Sequence, residues 1–349
     1  MYINRVDLYK KLEKEFDSKL LLYVTSDRQN MSAQIASDVI DYFINQLDKI
    51  GPCKRLSLYL YTRGGNTSAA WNIVNLIRMY CDELQVIVPH KAHSAGTIIS
   101  LGANEIVMTK QATLSPIDPS IKTPLNPRIP NVPETMPVSV EAVKGYIEFA
   151  REELGTDDVN AISNIFMKLT DYVHPLVLGE VYRSRAQIKM LAEKLLVNQV
   201  RNAEDVQKIV DFLCSESGSH DYTINRREAE TDLKLKVRKP SKDQYTLIKK
   251  IYDDVSEELA FNSPFNPSEV NGEFAVRRSL LESIDGGSDY FVTMGKMSHV
   301  IGQNGEVLIN EQHTFEGWRH DNTSPSNQDV RVIEDGGVSE YEASSEFQV

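Results

Sequence analysis

The stretch LSLYLYTRGGN at residues 56–66 decides the fold. Its first six residues alternate as in a strand, and the two glycines end that strand in a turn. A helical pattern follows, and then two further strand patterns at residues 84–88 and 105–108, with a short helix of small residues at 94–103 between them. Strands and helices that alternate at this pace predict βα crossovers and a largely parallel sheet. We therefore expect an α/β fold.

The flanking sequence adds a helix before this region and a long loop after it. Ser32 is a candidate cap for a helix whose apolar residues recur at helical spacing from Ile35 to Ile50. Residues 115–137 hold seven of the fourteen prolines, which excludes a helix and is typical of a functional loop. Helical patterns resume at about residue 139 and continue to about residue 230.

The patterns divide the chain into three parts. Residues 1–240 form the α/β domain. Residues 241–322 comprise an amphipathic helix and a small antiparallel β appendage, predicted from turn signals at Asp285-Gly-Gly287 and Gln303-Asn-Gly305. Residues 323–349 are polar and acidic with little apolar periodicity, and they predict a disordered tail.

Composition excludes several classes of function. The 349 residues include 38 Lys+Arg and 50 Asp+Glu, and a net charge of −12 argues against a nucleic-acid partner. Three cysteines without a CxxC motif exclude a disulfide framework and a zinc knuckle, and a reducing compartment is expected. The sequence offers no signal core and no stretch of about 18 apolar residues. We therefore expect a cytoplasmic protein that does not enter a membrane.

Three polar motifs follow predicted strands. The glycines of TRGGN allow close backbone approach to a ligand, although a plain tight turn explains them equally. Ser94 opens a helix, where free N–H groups would stabilise an oxyanion, although serine is also an ordinary N-cap. Asp118 lies between two prolines, a usual place for a turn residue.

Neither a metal-binding HExxH motif nor an ATP-binding P-loop occurs in the sequence. No cofactor is therefore expected, and any ATPase partner would be a separate chain.

Together these motifs resemble the serine dehydrogenase proteinase family, which is related to the Clp proteolytic subunit and to signal peptide peptidase A. Four motifs in order carry the resemblance: RGGN at 63–66, AHSAGT at 92–97, SPIDP at 115–119 and HDYTINRREA at 220–229. The resemblance covers roughly residues 15–240. It implies that residues 1–240 are a serine peptidase domain with the β-α superhelical core of the Clp-protease/crotonase superfamily.

The resemblance also implies roles for particular residues. Ser94 would be the nucleophile, and Asp118 and His220 would complete a triad in the order Ser, Asp, His, which the mechanism tolerates. The backbone N–H groups of Gly65 and Ala95 would form the oxyanion hole. His174, at the start of a long helix, is the alternative base.

A Ser–Lys dyad is a further alternative, since relatives of signal peptide peptidase A use one. Lys91 and Lys110 are the lysines considered for it, but a lysine base needs burial to lower its pKa.

The expected function is a serine endopeptidase that cleaves peptides or unfolded protein segments through an acyl-enzyme at Ser94. Superfamily members usually assemble, so a homo-oligomer is expected. Two alternatives stay open at this point. A crotonase-like acyl-CoA enzyme would use the same oxyanion hole without a nucleophilic serine, and a non-catalytic scaffold could share the fold because fold does not fix function.

Overall fold

The computed structural model describes residues 1–117, 120–129, 134–153, 155, 158–216, 222–301 and 307–321. The predicted site residues Asp118 and His220, and the predicted acidic tail, lie outside these residues.

The helices and strands follow the predicted alternation. The first part of the chain contains, in order, α1 (Tyr2–Phe16), β1 (Lys19–Thr25), α2 (Ile40–Ile50), β2 (Cys53–Tyr61), α3 (Thr67–Arg78), β3 (Cys81–Val88), β4 (Lys91–Ala92), α4 (Ala95–Leu101), β5 (Glu105–Met108), β6 (Thr113–Leu114), β7 (Ser120–Ile121) and β8 (Val138–Ser139). The second part contains α5 (Val140–Glu152), α6 (Val159–Thr170), α7 (Pro175–Leu196), α8 (Ala203–Asp211), β9 (Ile224–Asn225), α9 (Arg226–Thr231), β10 (Val237–Arg238), α10 (Lys242–Glu258), β11 (Gly272–Ser283), β12 (Gly287–Ile301) and β13 (Val307–Asp321).

The central sheet has eight described strands in the order β10-β5-β3-β2-β1-β11-β12-β13. The five from β10 to β1 are parallel, as the alternation of strands and helices predicts. Side chains alternate between its two faces. On one face Leu58 and Leu60 pack with helices α2, α3 and α4, while on the other Tyr59 and Tyr61 pack with α1 and α10. The predicted α/β class, with a C-terminal helix and antiparallel strands, is confirmed.

The antiparallel strands near the C-terminus continue the central sheet. β11 pairs antiparallel with β1, and β12 and β13 follow it in an antiparallel meander. α10 begins at a capping box formed by Ser241 and Gln244, and it packs against α1. The strands predicted over 271–316 are therefore present, and they belong to the same sheet as β1, β2, β3, β5 and β10. The division of the chain at residue 240 stays a prediction.

The helix expected to begin at Ser32 starts later, and this expectation is wrong for residues 33–39. α2 begins at Ile40, after a single 3-10 turn at Ser37–Val39. Ile35 instead bridges to the glycine turn: its N–H donates to the Gly64 carbonyl at 2.8 Å, and its carbonyl accepts from the Asn66 N–H at 2.7 Å. Backbone pairing with a distant segment outweighs the helical spacing of the apolar residues, and it braces the turn that follows β2.

Candidate active site

Ser94 lies between a short strand and a buried helix. β4 ends at Ala92, and all seven residues of α4, which begins at Ala95, are buried. Between them Ser94 has φ 51° and ψ −112°, a conformation that a non-glycine residue seldom adopts. Such a conformation costs about 1–3 kcal/mol and persists only where the surrounding contacts impose it. Ser94 is partly exposed, so a ligand can reach it.

The turn formed by Gly64 and Gly65 packs directly against Ser94. Both glycines have positive φ, 117° and 143°. A Cβ atom on Gly64 would lie 2.7 Å from Ser94 Cβ and 3.2 Å from Ser94 Oγ. A Cβ atom on Gly65 would lie 2.3 Å from the Ile35 carbonyl oxygen. Only glycine therefore allows this turn to approach the serine on one side and Ile35 on the other.

Two backbone N–H groups beside this turn have no acceptor within the described part of the chain. The pairing with Ile35 leaves the Gly65 N–H unused, and the Ala95 N–H lies in the first turn of α4, where helices have no internal acceptor. The Ser94 N–H, by contrast, donates to Ser115 Oγ at 2.8 Å. Gly65 and Ala95 are the two residues whose N–H groups are expected to form an oxyanion hole.

Three chain segments meet at one end of a second, smaller sheet. β4 pairs parallel with β6 and β6 pairs antiparallel with β9, so that Ala92, Leu114 and Ile224 are partners across it. The chain leaves β4 towards Ser94, leaves β6 towards residue 118, and enters β9 from residue 220. In an antiparallel pair the end of one strand lies beside the start of the other. The segments that lead to all three predicted triad positions therefore leave this sheet at the same end.

His174 is described, and it caps a helix. Its Nδ1 accepts the Leu176 N–H at 3.2 Å at the start of α7, and its side chain is exposed. Val173 and Val177 beside it belong to a satellite cluster with Val138, separate from the core cluster around α4.

Both lysines considered for a dyad have other contacts. The Lys91 ammonium group donates to Asp27 Oδ2 at 2.7 Å, and Tyr61 donates its hydroxyl to the same oxygen at 2.9 Å. Lys110 is exposed, and its ammonium group lies 5.3 Å from the centre of the Tyr245 ring. Lys91 is paired with a carboxylate and Lys110 is exposed to solvent, whereas a lysine base needs burial, so these contacts do not favour a Ser–Lys dyad.

His90 links the C-terminal helix to the segment that leads to Ser94. Its ring stacks on Tyr252 of α10, with centroids 5.7 Å apart and an interplanar angle of 19°. Burial, together with the neighbouring charge of Lys91, lowers the pKa of His90, so the ring is neutral at pH 7. α10 thereby supports His90, four residues before Ser94, from the side of the sheet opposite α4.

Sequence reasoning missed the contribution of Ser115, whose Oγ accepts the Ser94 N–H. Ser115 belongs to the SPIDP motif, which drew attention only for Asp118, and no property of the motif predicts a contact with Ser94. The hydrogen bond between Ser115 and Ser94 depends on the pairing of β6 with β4 in the folded chain.

Among the described residues no cluster of three or more His, Cys, Asp or Glu side chains could hold a metal ion. Within the same residues, no helix has both the length and the apolar character needed to cross a membrane.

Residues 44–139 match the family model described as ClpP-like SDH-type serine proteinase. This match covers the glycine turn, Ser94 and the SPIDP motif, and it confirms the resemblance inferred from those motifs. That part of the chain thus has the sequence pattern of a family of serine proteinases.

Similar proteins are also found among curated sequences and solved structures. An uncharacterised protein of Methanocaldococcus jannaschii is 41% identical over 68 residues, which are 20% of this chain and 24% of the relative. The chain spans about a quarter of the length of the curated relatives it matches. A variant of the 1510-N membrane-bound stomatin-specific protease is 18% identical, with a TM-score of 0.33 over 63% of this chain and 80% of the other. ClpP1 of Listeria monocytogenes is 13% identical, with a TM-score of 0.35 over 66% of this chain and 98% of the other.

Proposed function

We propose that this chain is a serine endopeptidase with Ser94 as its nucleophile. The observation that carries the proposal is the position of Ser94, on a strained and partly exposed turn packed against Gly64. Two N–H groups that have no acceptor among the described residues flank this turn. A nucleophile beside prearranged backbone donors is the arrangement that acyl transfer requires. The match of residues 44–139 to a serine proteinase family supports the same chemistry.

The reaction follows from these groups. Ser94 Oγ attacks the carbonyl carbon of the scissile peptide bond while a base takes the hydroxyl proton, and the N–H groups of Gly65 and Ala95 donate to the oxyanion. The intermediate then collapses: the C–N bond breaks, the protonated base gives its proton to the departing amine, and an ester forms on Ser94. Water, activated by the same base, hydrolyses that ester and restores the serine.

We assign the base to His220 and its orienting carboxylate to Asp118. The support is the small sheet, whose paired strands direct the chain segments before residue 118 and after residue 220 to the end at which Ser94 lies. His174 is the less favoured base, because its Nδ1 already accepts a helix-capping hydrogen bond.

A fluorophosphonate probe tests the nucleophile, since such probes phosphonylate activated serines. We expect one covalent adduct per chain, located by mass spectrometry on the peptide that contains Ser94 and absent from Ser94→Ala. Ser68→Ala removes an exposed hydroxyl just beyond the glycine turn and serves as the matched control, with labelling unchanged. A wild-type protein that is folded but unlabelled would contradict the proposed activity, and it would favour a scaffold or an acyl-CoA enzyme without a nucleophilic serine.

We further propose that the substrates are peptides or unfolded protein segments and that the chain acts as a homo-oligomer. The support for assembly is an exposed apolar surface on α5 and α6. No residue of α6 is buried, and Phe149, Phe166 and Met167 are 56%, 43% and 62% exposed. Surfaces of this kind mark contact sites on soluble proteins.

Light scattering at micromolar concentration is expected to give a multiple of the 39.5 kDa chain mass. Replacing both Phe166 and Met167 by Glu should shift the mass towards the monomer, because the interface would then bury charges. Met79→Glu alters an equally large apolar side chain that is 82% exposed at the end of α3, and it should leave the mass unchanged. A wild-type mass of about one chain would refute assembly.

A further inference from the structure

A buried serine outside the predicted triad touches the backbone of Ser94. Ser115 is 2% exposed, and its Oγ accepts the Ser94 N–H at 2.8 Å while donating to the Pro116 carbonyl oxygen at 3.0 Å. A hydroxyl group has one proton and two lone pairs, so it can make both hydrogen bonds at once. The Ser115 side chain is therefore fixed in the orientation that holds the Ser94 amide.

Thr97 of α4 fixes Ser115 in turn. Its fully buried hydroxyl accepts the Ser115 N–H at 3.1 Å. The same Oγ lies 2.8 Å from the Ser115 carbonyl oxygen and 3.0 Å from the Ala92 carbonyl oxygen, and its single proton goes to one of them. Thr97, three residues after Ser94, is thus bound to the same segment that holds the Ser94 amide.

The hydrogen bond from Ser94 to Ser115 has two consequences. It acts on the residue whose backbone is strained, and it occupies that residue's N–H group. The φ of 51° needs contacts that impose it, and the hydrogen bond to Ser115 acts on the N–H of that same residue. Because the Ser94 N–H is occupied, it is not a donor for a substrate oxygen. The oxyanion is left to Gly65 and Ala95.

We infer that Ser115 is a positioning residue that holds Ser94 in the conformation from which its hydroxyl attacks the substrate. This inference rests on the proposed peptidase function, because it assigns Ser115 a role in the reactivity of Ser94. Misplacement of a reacting group by about 1 Å can cost about 100-fold in rate. Loss of the Ser115 hydroxyl is therefore expected to slow the chemical step and to leave substrate affinity nearly unchanged.

Ser115→Ala tests the inference beside a matched control, Ser100→Ala. Ser100 is also fully buried and lies on α4, but its hydroxyl donates to the Gly96 carbonyl oxygen and does not touch Ser94. Each change removes one buried hydroxyl, so similar losses of thermal stability are expected. We expect fluorophosphonate labelling of Ser94 about 10- to 100-fold slower at saturating probe in Ser115→Ala, with half-saturation unchanged, and a wild-type rate in Ser100→Ala.

Ser115→Thr keeps the hydroxyl and should recover most of the labelling rate, which a general loss of packing would not allow. Equal rates in the wild type and in folded Ser115→Ala would overturn the inference.

A second measurement does not depend on activity. Hydrogen exchange of the Ser94 amide, followed in protein labelled with ¹⁵N-serine, should be about tenfold faster in Ser115→Ala than in Ser100→Ala, because only the first loses the acceptor. If wild-type Ser94 is not labelled by the probe, the proposed peptidase fails, and the exchange rates still decide whether Ser115 holds Ser94. Equal exchange rates of the Ser94 amide in both variants would show that Ser115 does not hold Ser94.

Discussion

Ser94→Ala and His220→Ala are each expected to lower peptide turnover by about 10³- to 10⁶-fold, and the double variant should be little slower than either one. The reason is that the serine attacks only while the base removes its proton, so loss of either group abolishes the same step. The activity that remains would come from the oxyanion donors and from substrate binding. Turnover of a fluorogenic peptide, with folding checked by circular dichroism, measures all three variants.

His174→Ala is the decisive comparison for the base. His174 caps α7 through its Nδ1, so its removal is expected to cost about 0.5–2 kcal/mol of stability and to change turnover only slightly. His174→Asn supplies another capping side chain and should restore the stability. If His174→Ala is folded and inactive while His220→Ala keeps normal turnover, the base assignment is wrong and the triad must be rebuilt around His174.

Asp118→Asn is expected to lower turnover strongly, since the carboxylate fixes the tautomer of the base and stabilises its protonated form. The effect should be much smaller when Asp118→Asn is introduced into His220→Ala, because an orienting carboxylate has no role without its histidine. Additive losses in the double variant would mean that Asp118 acts elsewhere.

Arg5→Met is expected to give the largest loss of stability, about 3–5 kcal/mol at pH 7. Arg5 of α1 is fully buried, and its guanidinium group lies 2.6 Å from Glu282 of β11, which is also fully buried, and 2.6 Å from Glu258 of α10. Asp254 also pairs with it. Methionine has nearly the length of arginine but no charge, so Glu282 would lose its cation in a place that water does not reach.

Urea denaturation of Arg5→Met and of a surface control measures this effect. Asp285→Asn breaks the ion pair of Lys19 and Asp285, which is 2.8 Å long and about one-third exposed, and a loss of about 0–1 kcal/mol is expected. The double variant Arg5→Met with Glu282→Gln should regain part of the stability, because the unpaired charge is then absent. A loss in Arg5→Met no greater than in Asp285→Asn would show that the cluster is not held by charge.

The same cluster gives the protein a defined response to acid. Burial opposes ionisation of Glu258, but the charges of Arg5 and Arg277 outweigh it and lower the pKa of Glu258 to about 2. The unfolded chain therefore binds the proton more readily than the folded chain below pH 4.5. The stability that Glu258 contributes is present above that pH and is lost as the pH falls towards 2.

Sequence patterns determine much of this fold because they report local preferences. Period-two alternation and the glycines after residue 61 locate β2, and the apolar runs locate β3 and β5. Local side chains also mark helix starts: Ser241 and Asn202 each accept a hydrogen bond from the first turn of the helix that follows. The two glycines also predict the turn that follows β2.

Tertiary structure alone decides the contacts that give these motifs their geometry. Ile35 has helical spacing, yet it pairs with the glycine turn because a backbone donor and acceptor were available there. Turn signals predict the antiparallel strands after residue 271, but only the folded chain shows that β11 pairs with β1 and so extends the central sheet. The strained φ of Ser94 and its hydrogen bond to Ser115 arise from groups 21 residues apart in the chain. Periodicity and composition carry no information about such pairs, because the free energy of each contact depends on which distant segments the folded sheet brings together.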